Sequence, residues 1–216
     1  MSKGYEVLSL DDLGAYPRPQ KDGPLLMPLR LRLGVQAFGA NCWTAPVGSL
    51  VVPRHEEDSG HEELYVIVRG RATFTVGEQT FDAPAGTLVH VEAGVLREAV
   101  AEEPDTVVLV AGGTPGKAFE AFGWESVQVA FAEGVAGRVE EGRTALNEAI
   151  AGRPGHWSNA YNLACYESRF GDLDAAFAQL REALATAPPE EIGGYLEGDD
   201  DLARMRDDPR WAEVTG

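Results

Sequence analysis

Up to about Gly113 the apolar positions fall in short runs at 42–45, 50–53, 64–68, 72–76, 87–91 and 106–110, punctuated by glycine and proline. Several are rich in valine and threonine. Runs of that length and rhythm predict short antiparallel strands packed as an all-β sandwich or barrel. Gly77 and Glu78, between the runs 73–76 and 79–81, predict a tight hairpin turn, because glycine supplies the positive φ that such turns need. The segment Gly112, Gly113, Thr114, Pro115, Gly116 should interrupt the strands, since three glycines and a proline favour irregular backbone. This sets a first domain at 1–113 and a linker at 114–123.

From Trp124 onward the apolar residues recur at helical spacing, and the segment repeats itself. At an offset of 34 residues Val129 meets Leu163, Gly137 meets Gly171, Val139 meets Leu173, Leu146 meets Leu180, Ala149 meets Ala183 and Pro154 meets Pro188, among nine matches in one register. Small residues such as Ala164, Ala176 and Ala183 let two antiparallel helices approach closely, and Gly171 turns between them. With Leu163, Ala164, Gly171, Ala176, Leu180, Ala183 and Pro188 in place, the stretch resembles the tetratricopeptide repeat. Its first unit is weaker, with Gly142 where an alanine is usual. The expectation is two helical hairpins over 124–188, followed by capping helices over 189–216 that bury an apolar edge through Leu202, Met205 and Trp211. Such an array serves either as a peptide-binding groove or as a packing and dimerisation module.

Composition narrows the function classes. At 216 residues and 44% hydrophobic, the chain can bury one good core or two modest ones. Its net charge of -17 is spread over both parts, 19 acidic against 9 basic residues from Lys117 onward and 16 against 9 before it. That excess repels phosphate backbones and anionic lipids, so neither a nucleic acid nor a membrane is expected as a partner. Residues 1–10 hold no continuous apolar stretch, and no run approaches the roughly 20 apolar residues of a membrane span, which leads to the expectation of a cytoplasmic protein. Cys42 and Cys165 lie in different predicted domains and read as small buried side chains rather than a disulfide.

The candidate chemistry lies between His55 and Arg97. His55, Glu57, His61, Glu62 and Glu63 lead into the run 64–68 and stop at Gly70, and Gly86, Glu92, Gly94 and Arg97 follow. Gly48, His55, Glu57, Glu63 and Gly70 resemble the first motif of the cupins, and Gly86, Glu92, Gly94 and Arg97 their second, over roughly 33–113. The resemblance implies an α+β, two-domain chain: an antiparallel β-barrel of the double-stranded β-helix type, then the all-α helical region. Glu57 stands where the family has a second histidine, Arg97 where it has a third, and Glu92 where it has proline.

The resemblance implies a divalent transition ion, iron, manganese, nickel or zinc, on imidazole and carboxylate ligands. His55, Glu57 and Glu63 could supply three, and three with open positions suffice for a catalytic ion. Arg97 argues the other way: it cannot coordinate, its charge opposes a cation, and beside two carboxylates it would close a metal-free network. His61 could replace Glu57 if its strand has already begun. Tyr65, Ile67 and Arg69 alternate with Glu63 and should share its inward face, so Tyr65, Arg69 and Arg97 are expected to line a ligand pocket. His90, among valines, reads as a core histidine and His156 as structural.

Three functions fit these residues. The favoured one is a small-molecule-binding barrel with a degenerate metal site, Arg97 clamping a carboxylate or phosphate, and the helical repeats as a partner surface. The alternatives are a metal-dependent dioxygenase or isomerase on His55, Glu57 and Glu63, and a scaffold with no small-molecule site. The family resemblance implies a homodimer. No phosphate loop, paired Cys-x-x-Cys or nucleophile elbow is present to carry other chemistries.

Overall fold

The computed structural model describes residues 5–17, 23–57, 60–119, 123–152 and 154–216. The chain divides into a first unit, 1–121, and a second, 122–216.

In the first unit a 3₁₀ turn, Leu10–Asp12, precedes strand β1 (Leu25–Met27) and a short helix α1 (Leu29–Leu33). The strands that follow are β2 (Gly39–Thr44), β3 (Leu50–His55), β4 (Glu62–Arg69), β5 (Arg71–Val76), β6 (Gln79–Pro84), β7 (Leu88–Val91), β8 (Arg97–Ala101) and β9 (Val107–Gly113). They form two antiparallel sheets, in the orders β1-β2-β9-β4-β7 and β3-β8-β5-β6. The expected closed barrel is therefore corrected to a sandwich, whose described strands stay in two separate sheets. Strand β3 lies at a sheet edge and carries Pro53, which has no N–H to offer a further strand.

Alternation along each strand builds the core. Ile67, Phe74, Ala99 and Val108 are fully buried between the sheets, with Tyr65 and Trp43 beside them. Phe74 sits edge-on to Tyr65 at 5.5 Å and stacks on Phe81 at 6.0 Å. Burying a ring of that size contributes about 1.5–3 kcal/mol. The same alternation on β8 buries Arg97, Ala99 and Ala101 and leaves Glu98 and Val100 half-buried, so Arg97 is turned inward. The 77–78 turn closes the β5–β6 hairpin with Gly77 at φ 57°. Gly112 and Gly113 continue β9 instead of ending it. A Cβ on Gly112 would lie 2.8 Å from the Glu62 carbonyl oxygen, so glycine there is what permits the β4–β9 pairing. Past the strand, Phe119 packs against Gly39; 120–122 lie outside the described residues.

The second unit is helical: α2 (Trp124–Val135), α3 (Val139–Gly152), α4 (Trp157–Phe170), α5 (Leu173–Thr186) and α6 (Pro189–Gly198), then a 3₁₀ turn (Asp200–Leu202), α7 (Ala203–Arg206) and α8 (Arg210–Thr215). Helices α2 and α3, and α4 and α5, form two hairpins. His156 caps α4 by accepting from the Ser158 amide, and Asp172 caps α5 by accepting from Asp174 and Ala175. Gly142 is where α3 meets α4: its Cα lies so close to Tyr166 that an added Cβ would be 2.0 Å from the phenol oxygen. Leu202 and Met205 are fully buried in the helical core, and Trp211 is partly buried against it. Both cysteines are free and buried. No helix among the described residues is long and apolar enough to cross a membrane.

Candidate metal centre

Three strands and one loop bring the candidate residues together. His55 ends β3 and stands directly across from Arg97, which begins β8. Glu63 reaches in from β4 of the facing sheet, and Glu57 from the loop after β3. One donor atom each from His55, Glu57 and Glu63 lies within 4.8 Å of the others. The imidazole Nε2 is 3.7 Å from Glu57 Oε1 and 3.6 Å from Glu63 Oε2. On the other side of the ring, Nδ1 is 2.6 Å from the Pro53 carbonyl oxygen. A carbonyl can only accept, so Nδ1 carries a proton, and in the neutral ring the Nε2 lone pair faces both carboxylates.

A lone pair facing two anions needs a cation among them. A proton on Nε2 or a metal ion would serve equally. For the proton, the hydrogen-bonding interaction with Glu63 raises the His55 pKa above its ordinary 6.5, against a lowering by burial, with further help from Pro53 and the Glu63 charge. Glu63 is affected in the opposite sense. Burial alone would raise it, but the hydrogen bonds of His55 and Tyr65 and the charges of His55 and Arg97 hold it below the ordinary carboxylate value. For an ion, the donor set is one imidazole and two carboxylates, the mix that suits zinc, iron, manganese or nickel. Donor separations of 3.6–3.7 Å close onto bonds of about 2.0–2.2 Å with small side-chain shifts. The carbonyl behind Nδ1 fixes the ring as metal-bound histidines are commonly fixed. The residues fit such an ion.

Arg97 completes the charge pattern without being open to solvent. Its side chain is 0% exposed; Nε lies 3.6 Å from Glu63 Oε2 and Nη2 donates to the Glu92 carbonyl at 3.2 Å. Among the described residues, Nε and Nη1 have no hydrogen-bond partner. Tyr65, also buried, donates its phenol O–H to Glu63 Oε2. Burial, and then the Glu63 charge, push the phenol pKa up, so Tyr65 stays a donor.

Other expected residues lie elsewhere. Arg69 is exposed and pairs with Asp11 at 2.8 Å, because a register shift between Ile67 and Arg69 breaks the alternation that would have turned it inward. His61 precedes β4 and tilts toward the Phe119 ring at 6.4 Å, outside the cluster. His90 is exposed rather than in the core. It meets Glu62 at 3.3 Å beside an outer-face hollow of about 350 Å³ whose walls include Phe38, Leu64 and Pro115. Sequence reasoning missed the Pro53 and Glu92 carbonyls, which carry no side-chain signal, and the bond from Tyr65 to Glu63.

Residues 41–112 match the family model of the cupin domain. The β unit is a cupin domain. The chain is 32% identical over 113 residues to the uncharacterized protein SCO3923 of Streptomyces coelicolor, covering 51% of this chain and 97% of that one. Solved structures similar to the chain include a cupin protein of Bacteroides fragilis, 19% identical with TM-score 0.39, covering 55% of this chain and 92% of its own. Two others are the TT1209 protein of Thermus thermophilus, 18% identical with TM-score 0.41 and coverages of 50% and 97%, and a sugar phosphate isomerase of Silicibacter pomeroyi, 17% identical with TM-score 0.43 and coverages of 51% and 77%. The cupin domain thus carries His55, Glu57 and Glu63 as a compact donor group, with Arg97 sealed behind them.

Proposed function

We propose that the cupin domain binds a small anionic molecule at a divalent transition ion held by His55, Glu57 and Glu63. The observation that carries this reading is the direction of the imidazole: Nδ1 is held by Pro53 while Nε2 faces two carboxylate oxygens at 3.6 and 3.7 Å. An ion here would supply Lewis acidity and open positions for an oxygen ligand. Two carboxylates, one guanidinium and a divalent ion leave a local charge of about +1, which favours an anion at the open side. His55 and Glu57 are the more open donors, at 31% and 25% side-chain exposure, and Glu63 is deeper at 14%. A ligand therefore approaches over His55 and Glu57. This differs from the expectation of Arg97 as a direct clamp, since a side chain without exposed surface is reached only if its neighbours move.

Metal analysis and titration test the reading. Purified protein, stripped with chelator and titrated with manganese, zinc, nickel or ferrous ion, is expected to take up one equivalent, and His55→Ala and Glu63→Gln to lose it. Uptake that survives both variants overturns it. Stripped protein that binds no ion but still folds supports the second reading, a metal-free network of Glu63, His55 and Arg97, which the 3.6 Å approach of Arg97 to Glu63 favours. Turnover as a dioxygenase or isomerase would use the same three ligands and is read as product formation in the loaded samples. We assign the helical unit a tetratricopeptide-like packing or partner-binding role, supported by its two hairpins and their 34-residue register.

A further inference from the structure

One buried arrangement at this site is unusual in its hydrogen bonding. Arg97 has no exposed surface and, among the described residues, leaves Nε–H and Nη1–H unpartnered, yet a carboxylate that could satisfy Nε–H stands only 3.6 Å away. Leaving buried donors of a charged group unpaired is costly, so a free Glu63 would be drawn onto the guanidinium. What holds it short is visible. The Tyr65 phenol donates to the same oxygen, Oε2, that faces both Arg97 and the His55 imidazole. Tyr65 is itself fixed by burial and by its edge-on contact with Phe74.

We infer that the Tyr65 hydroxyl withholds Glu63 from Arg97 and so keeps it available as a metal ligand, which makes Tyr65 a positioning residue and Arg97 an internal competitor for the same carboxylate. This rests on the metal-binding reading above and adds to it a pair of residues that set the affinity. Without the hydroxyl, Glu63 turns onto the Arg97 Nε–H, completes the charge-assisted hydrogen bond now held at 3.6 Å, and leaves the ion with His55 and Glu57 only. Without the arginine, that alternative partner is gone and a repelling charge is removed with it.

The test uses four full-length proteins: wild type, Tyr65→Phe, Arg97→Met and the double variant. Phenylalanine keeps the ring packed on Phe74, and methionine removes the buried guanidinium while keeping an unbranched apolar stem. Affinity for manganese ion is measured by calorimetry, and the Arg97 Nε–H resonance is followed in metal-free protein. The expected result is at least tenfold weaker manganese binding in Tyr65→Phe, with affinity in the double variant returning to within about threefold of Arg97→Met, the scale on which outer partners act being about 10–100-fold. In metal-free Tyr65→Phe the Nε–H signal should move downfield and exchange more slowly as its bond to Glu63 forms. Unchanged affinity in Tyr65→Phe, a loss that Arg97→Met does not recover, or an unmoved Nε–H signal overturns the inference. If wild type takes up no manganese while the Nε–H signal still shifts, it is the metal-binding reading that fails and the withheld ion pair that stands.

Discussion

Glu63→Gln should destabilise the β unit through the charge it leaves behind. Arg97 is fully buried, and Glu63 Oε2, 14% exposed at its side chain, is the carboxylate oxygen that faces it, 3.6 Å from Nε and short of a hydrogen bond. At an effective dielectric constant of 20, two unit charges 3.6 Å apart attract by about 4.6 kcal/mol. The glutamine keeps the shape and can still accept from Tyr65, so packing and that hydrogen bond largely survive. Removing one partner of a buried pair typically costs about 3–5 kcal/mol because the other charge stays buried. A loss of about 3 kcal/mol is therefore expected for Glu63→Gln at neutral pH in chelator, and adding Arg97→Met should recover at least about 2 kcal/mol of it. The assay is urea unfolding of the full chain with fluorotryptophan, in which the resonance of Trp43 reports the β unit separately from Trp124, Trp157 and Trp211 of the helical unit. A Glu63→Gln protein within about 0.5 kcal/mol of wild type, or a double variant no more stable than Glu63→Gln, would refute the reasoning.

Two further perturbations follow from the same packing and electrostatics. Gly142→Ala gains about 1 kcal/mol of helix propensity but places a methyl 2.0 Å from the Tyr166 oxygen and 2.7 Å from the Ala130 carbonyl oxygen, and endangers the 2.9 Å bond from Tyr166 to the Val139 carbonyl. A net loss of about 2 kcal/mol in the helical unit is expected by thermal circular dichroism, partly relieved by Tyr166→Phe, and a stabilised variant would contradict the packing described. In metal-free protein, His55 has a raised folded pKa, so its contribution to stability is complete below the ordinary 6.5 and is lost as pH rises through the folded value. Glu63 has a lowered one, so its contribution is present above the ordinary 4.5 and is lost as pH falls through the folded value. The melting temperature in chelator should thus peak between those two ordinary values, and His55→Gln should flatten the alkaline limb; an unchanged limb would remove His55 from the network.

Much of this architecture is legible in the residues themselves. Period-2 alternation in the run at 72–76 marks an inward face, and the 34-residue offset marks the hairpins, because each reflects a fixed backbone geometry. The site was legible in outline, since His55, Glu57, Glu63 and Arg97 sit at recognisable spacing. Arg69 was not, because one irregularity after Ile67 reverses which side a strand residue faces. Nor was His90, where Val89 and Val91 take the buried positions and the histidine between them turns outward. A run of apolar residues does not state which alternate members are inside. The glycines of β9 read as a break, yet Gly112 is there because the Glu62 carbonyl passes too close for a side chain. The sealing of Arg97 depends on residues from two facing sheets, which no local spacing encodes.

The most direct measurement is anomalous diffraction at a metal edge from crystals grown with manganese or zinc. A single strong peak about 2.0–2.3 Å from His55 Nε2 and from one oxygen each of Glu57 and Glu63, with Arg97 behind Glu63 and unbound to it, is the result expected. A map without a peak among these three side chains, in which Glu63 instead closes on Arg97 and His55, would contradict a metal-binding cupin site in this protein.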